Sequence, residues 1–174
     1  MTVTGANDNL IDGTITSTIT VAINDGSSDN NFDSVANQTV SVTTTDNDTA
    51  GFTITQTGGS TSVAETGTTD TFTIVLNAQP ASNVVIAIAS SDTGEATVNS
   101  PLTFTPANWN SAQTVTVTGV DDNIIDGTIT STLTTSVVDA LSDDDFDGVA
   151  NQTVSTTTTD NDTAGFTIVQ SGGS

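Results

Sequence analysis

Not one lysine, arginine or histidine occurs among the 174 residues of this chain, against 21 aspartates and glutamates, so its formal charge is −21. Nucleic-acid binding is excluded, because phosphate neutralisation needs cationic side chains. Anionic membrane surfaces repel such a chain for the same reason. No salt bridge between side chains is available, so self-repulsion must be relieved by solvent, by screening or by bound cations. Two carboxylates about 4 Å apart repel by roughly 4 kcal/mol at an effective dielectric near 20. A cluster of four opposes folding strongly unless a cation enters it.

Cysteine is also absent, which excludes disulfides, thiolate nucleophiles and Cys-type zinc sites. A cysteine-free chain suits either side of a membrane. No apolar run approaches the length of a membrane span and no signal-peptide pattern opens the sequence, so insertion of this segment is not expected and any export signal is expected upstream or already removed. Catalysis is not expected either. Paired carboxylates can hydrolyse glycosides, but Glu65 and Glu95 are the only glutamates, and no His, Lys, Cys, Tyr or Arg is present to tune them.

What the chain does have is threonine, 39 residues of it, with Val and Ile dominating an apolar fraction of 33%. Stiff, β-branched side chains favour strands. The expected class is all-β.

Residues 1–60 align with 115–174 at a constant offset of 114, with 43 identities and no gap. A period of 20–50 residues would mean a solenoid or propeller, whereas 114 is the size of an independent domain. The expected organisation is therefore the closing half of one repeat (1–48), a complete repeat (49–162) and the first strand of the next (163–174). In the first, Ile15, Ile19, Val21 and Ile23 alternate with threonines, and Gln38 to Thr45 closes the sheet. In the second, the period-2 runs are Phe52-Ile54, Phe72-Ile74-Leu76, Val84-Ile86-Ile88, Leu102-Phe104, Val115-Val117, Thr128 to Val138 and Gln152 to Thr159. Seven or so strands with regular turns suit an immunoglobulin-like sandwich. Trp109 reads as a residue at a strand edge of the core.

The same joint occurs twice. Threonines end in Asp46-Asn47-Asp48 and again in Asp160-Asn161-Asp162, each followed by Thr-Ala-Gly-Phe-Thr-Ile. With only hard oxygen ligands on offer, such carboxylates select calcium or magnesium over zinc or copper. Irregular loops favour calcium, since magnesium demands a stricter octahedron. The plainer reading is a solvated acidic turn.

The complete repeat resembles a Calx-β domain, the calcium-binding sandwich found in sodium–calcium exchangers and in large bacterial surface proteins. The matching pieces are Val63-Ala64-Glu65-Thr66-Gly67, Leu102-Thr103-Phe104-Thr105-Pro106, Val115-Thr116-Val117, Asp121-Asp122-Asn123 and Asp160-Asn161-Asp162. That resemblance implies a calcium site at one tip, held by Glu65, Asp121, Asp122, Asp126, Asp160 and Asp162 with the Ile124 carbonyl. In the earlier partial repeat it implies Asp8, Asp12, Asp46 and Asp48, with Asn7 replacing the first Asp of the pair. The family's mid-chain Asp has no clear counterpart, and one or two ions per joint are expected.

A second candidate loop, Asp143-Asp144-Asp145-Phe146-Asp147-Gly148, opens as D-x-D-x-D-G with Asp143, Asp145 and Asp147 as ligands. It lacks the closing Glu, as does the earlier copy from Asp29 to Ser34, and an exposed turn fits equally. Phe146 and Phe32 are expected to anchor these loops to a core. Glycosylation sequons fall at Asn37, Asn47, Asn151 and Asn161, although a Thr- and Asn-rich chain produces them cheaply. The expected role is an extracellular or cell-surface stalk, adhesin or fibril of head-to-tail repeats stiffened by calcium. The alternatives are a filament subunit completed by strands from neighbouring copies, and a calcium-dependent module binding surface glycans or another partner.

Overall fold

The computed structural model describes residues 1–172 and contains two compact units, Met1–Thr49 and Ala50–Ser174. Each folds from strands and short 3-10 turns, and among the described residues none is α-helical. Among the described residues no helix is long and apolar enough to cross a membrane.

The first unit is a hairpin of β1 (Ile15–Val21) and β2 (Gln38–Thr44), antiparallel from Ile15↔Thr44 to Val21↔Gln38. The second is a β-sandwich. Its strands are β3 (Phe52–Gln56), β4 (Thr61–Ala64), β5 (Thr69–Leu76), β6 (Val84–Ser90), β7 (Ala96–Val98), β8 (Leu102–Phe104), β9 (Gln113–Gly119), β10 (Ile129–Val137) and β11 (Gln152–Thr159). One sheet has the order β4-β11-β10-β6-β8 and the other β3-β5-β9-β7. Every pairing is antiparallel except β4 with β11, which run parallel.

Period-2 alternation sends Phe72, Ile74, Val84, Ile86, Phe104, Val115, Val117 and Leu133 into the space between the sheets, where all are buried. Fully burying a side chain of this kind stabilises the fold by roughly 1.5–3 kcal/mol. Two short strands, β4 and β7, lie where the sequence pattern shows only turns and breaks. Not all the hydroxyl side chains turn outward, for Thr61, Ser131, Thr135, Thr156 and Thr158 are buried. Threonine packs like valine, and three of these hydroxyls find acceptors: Thr135 Oγ1 donates to Gln152 O (2.9 Å), Thr158 Oγ1 to Glu95 O (3.2 Å) and Thr61 Oγ1 to Gln56 Oε1 (3.0 Å). Trp109 lies in no strand and is half-buried, its carbonyl accepting from Leu76 N at 3.1 Å.

Charge is segregated along the chain. Every carboxylate except Asp70 falls in a loop or turn, and Asp70 accepts from the amides of Ser62 (2.8 Å) and Thr71 (2.7 Å).

The first unit repeats the β10–β11 hairpin without a second sheet above it. Val40 is 47% exposed where its counterpart Val154 is 2%, and Phe32 is 54% exposed where Phe146 is fully buried. Phe146 anchors its loop as expected and Phe32 does not, because the layer that would cover it is missing from this unit. Residues 163–172 form no strand, and Phe166 is 89% exposed; residues 173–174 of the expected first strand lie outside the described residues.

Gly119 closes β9 against the other sheet. A Cβ there would fall inside the contact distance of the Ala64 carbonyl, which is backbone and cannot swing away. Gly119→Ala is expected to destabilise the sandwich by about 1–3 kcal/mol, the usual cost of overpacking, read as a lower midpoint in urea; an unchanged midpoint would contradict this packing.

Candidate metal centre

The parallel β4–β11 pair runs towards one tip of the sandwich and leaves Glu65 and Asp160 side by side at its end. Glu65 N donates to Thr159 O at 3.1 Å, continuing the ladder by one step. The turn after it closes with Gly67 N donating to Ala64 O at 3.1 Å, and Gly67 has φ +79°, a region in which glycine is unstrained. Asp160 is fixed by amides: its Oδ2 accepts from Asp126 N (3.1 Å) and Gly127 N (2.9 Å), its Oδ1 from Asp162 N (2.6 Å). These bonds pull the 120–128 loop onto the end of β11.

From the opposite sheet comes Glu95, immediately before β7. Its carbonyl accepts from Val120 N (2.9 Å) and from Thr158 Oγ1, so its backbone is tied to both sheets. Glu65, Glu95 and Asp126 bring carboxylate oxygens within 4.8 Å of one another, and so do Glu65, Asp160 and Asp162. Glu65 is common to both trios. It is 1% exposed and Glu95 5%, yet Glu65 Oε1, Glu95 Oε2 and Asp162 Oδ2 are buried without a hydrogen-bond partner.

Unpaired carboxylate oxygens held together away from water are costly unless a proton or a cation joins them. The donor set suits a hard divalent cation: all oxygen, several carboxylates, irregular loop geometry. The residues therefore fit calcium, with Glu65, Asp160 and Asp162 on one side and Glu95 and Asp126 on the other.

The electrostatics agree with the geometry. The Asn161 amide, 3.1 Å from Oε2, is the largest influence on Glu65 and lowers its pKa, but burial with Asp160, Asp122 and Asp126 outweighs it and raises the pKa overall. Glu95 is raised by burial first, then by Asp126, Asp92, Glu65 and Asp122. Asp162 is raised by burial and then by Asp160. Asp160 moves the other way, lowered above all by the amides of Asp162 and Gly127.

Groups with raised pKa bind protons in the folded state that the unfolded chain has already lost, so stability falls as pH rises through that window. In chelator, the second unit is therefore expected to melt at a higher temperature as pH drops from 7 towards the ordinary carboxylate range. Asp160, being lowered, withdraws its contribution only below that range. A melting temperature that falls steadily over the same titration would contradict the assignment.

Not every expected ligand joins the cluster. Asp121 is exposed, with its Oδ1 accepting from Asn161 Nδ2 at 2.7 Å. Asp122 is half-buried and caps its own turn, accepting from Ile124 N at 2.6 Å, and Ile124 is exposed. In the first unit Asp46 repeats the part of Asp160, accepting from Asp12 N (3.1 Å), Gly13 N (2.9 Å) and Asp48 N (2.8 Å). Asp46 is lowered by these amides, while Asp48 is raised by burial and then by Asp46, Asp8 and Asp12. That unit contributes no residue to either trio, because its closing strands bring no glutamate.

The Asp143 loop carries a 3-10 turn from Asp144 to Phe146. Asp143 is buried, but its oxygens are taken by Ser82 N (2.6 Å) and Asp145 N (3.2 Å), while Asp145 and Asp147 are exposed. All four sequon asparagines are exposed, and Asn161 is engaged in the acidic tip through both its amide and its side chain. Glu95 is the residue that sequence reasoning missed. The one available signal was choice of residue, since the chain's only two glutamates are both buried at this tip.

Comparison with known proteins gives no matching family model, and no curated protein matches. Solved structures do match. The apo form of the Calx CBD1 domain aligns with 64% of this chain and 98% of its own length, at 12% identity and a TM-score of 0.44. Domains 1–6 of the surface layer protein SbsC align with 71% of this chain and 15% of theirs, at 22% identity and 0.43. SSP-19, an MSP-domain-like protein of Caenorhabditis elegans, aligns over 58% and 92%, at 19% identity and 0.38. The likeness is one of fold.

Proposed function

We propose that this chain is a structural segment of an extracellular stalk, adhesin or fibril, in which calcium at the acidic tip stabilises the sandwich. The observation that carries the reading is the set of orphaned oxygens on Glu65, Glu95 and Asp162, buried together in a chain without a positive side chain. A bound cation replaces carboxylate repulsion with shared coordination and stabilises the folded state by linkage. Because Asp160 and Asp162 directly precede residue 163, filling the tip also fixes how the chain leaves the sandwich. Surface display accords with a domain-sized repeat dense in carboxylates. The decisive experiment is the thermal melt in calcium and in chelator argued in the Discussion.

A second reading is favoured by the tail. Residues 164–168 repeat Ala50 to Ile54, which include the start of β3, yet Phe166, Ile168 and Val169 are exposed. In that reading copies complete one another by strand addition.

A further inference from the structure

Which part of the sandwich carries load follows from where the chain enters and leaves it. Gln152 Nε2 donates to Phe52 O at 2.7 Å, placing the start of β3 beside the start of β11. The chain leaves after Thr159, at the other end of β11. Tension between the two ends of the sandwich thus runs along the strands.

We propose that the parallel β4–β11 pair is the force-bearing clamp of this unit, and that the cation held by Glu65, Asp160 and Asp162 bolts it. Under tension β4 is drawn towards its N-terminus and β11 towards its C-terminus, so the two slide past each other. Their ladder bonds lie across the direction of pull and must break together, whereas a hairpin peeled from one end loses its bonds singly. The ladder itself is short, Thr61↔Thr156 to Ala64↔Thr159. Side chains reinforce it: Thr157 Oγ1 donates to Ser62 Oγ (3.1 Å), Thr159 Oγ1 to Val63 O (3.2 Å), and Asn161 N to Glu65 Oε2 (3.1 Å). Glu65 ends one of the sliding strands and Asp160 ends the other, so one ion coordinated by both resists the slip directly. Load on β3, which pairs with β5 from Phe52↔Leu76 to Gln56↔Phe72, reaches β4 through the Thr57–Gly59 turn once that ladder gives.

The proposal rests on the metal reading, and the test separates the two. The full chain, held by its termini, is pulled in single-molecule force spectroscopy in calcium and in chelator, while calorimetry measures calcium binding to the same preparation. At a fixed force, the unfolding rate of the sandwich is expected to fall about 100-fold at calcium a hundred times its dissociation constant, because coordination is lost before the barrier. Glu65→Gln should cut that difference to about 10-fold or less, its affinity being at least about 10-fold weaker. Calcium binding by calorimetry with equal unfolding rates in both solutions overturns the clamp and leaves the metal site standing. No heat of binding overturns both.

Discussion

Chelation of calcium should lower the melting temperature of the sandwich by roughly 10 °C. A ligand held at a hundred times its dissociation constant contributes about 2.7 kcal/mol to the folded state, and each kcal/mol moves the Tm of a domain this size by about 4 °C. The effect has two sources that act in the same direction. Without an ion, Glu65, Glu95, Asp126, Asp160 and Asp162 crowd one tip with no countercharge. With an ion, the orphaned oxygens of Glu65, Glu95 and Asp162 acquire a partner. Calorimetry in calcium, magnesium and chelator checks this, with magnesium expected to shift the melt less. Superimposable transitions in calcium and chelator would sink the metal reading while leaving the fold untouched.

Glu65→Gln should separate a ligand from an ordinary buried polar residue. Glutamine keeps the shape of the side chain but removes the one charge shared by both trios. In chelator the variant is expected to melt above the parent, because repulsion with Asp160, Asp162, Glu95 and Asp126 is relieved. In calcium it is expected to melt below the parent, its calcium affinity falling by at least the roughly 10–100-fold that loss of an outer-shell partner alone costs. A carboxylate that merely supported the fold would lose stability in both solutions.

Much of the fold is legible in the residues because alternation is a local property. The closing strand Gln152–Thr159 can be bounded from its threonines and flanking acids alone. Thr61–Ala64 and Ala96–Val98 cannot, because three or four residues are too few to show a period and each is hemmed by turn-forming residues. The buried Thr135, Thr156 and Thr158 are hidden for another reason: threonine counts as polar in a pattern but packs as a β-branched hydrocarbon.

At the site, Asp160 and Asp162 announce themselves by clustering. Glu95 does not, since it is a single acid thirty residues from Glu65 in a chain full of acidic turns. Only the crossing of β7 to the opposite sheet delivers it to the tip. Nor does the sequence reveal that Asp121 and Asp143 accept hydrogen bonds from Asn161 and Ser82, for such a bond leaves no mark on spacing.

Keeping every carboxylate but Asp70 out of the strands also shapes how the sandwich meets another of its kind. Its broad flanks offer hydroxyls and methyl groups, so two molecules lying flank to flank bring few like charges together. Meeting end on, they bring their acids face to face, within the reach of about 8 Å that physiological salt allows. Ionic strength therefore governs end-on encounters and leaves sideways ones nearly indifferent.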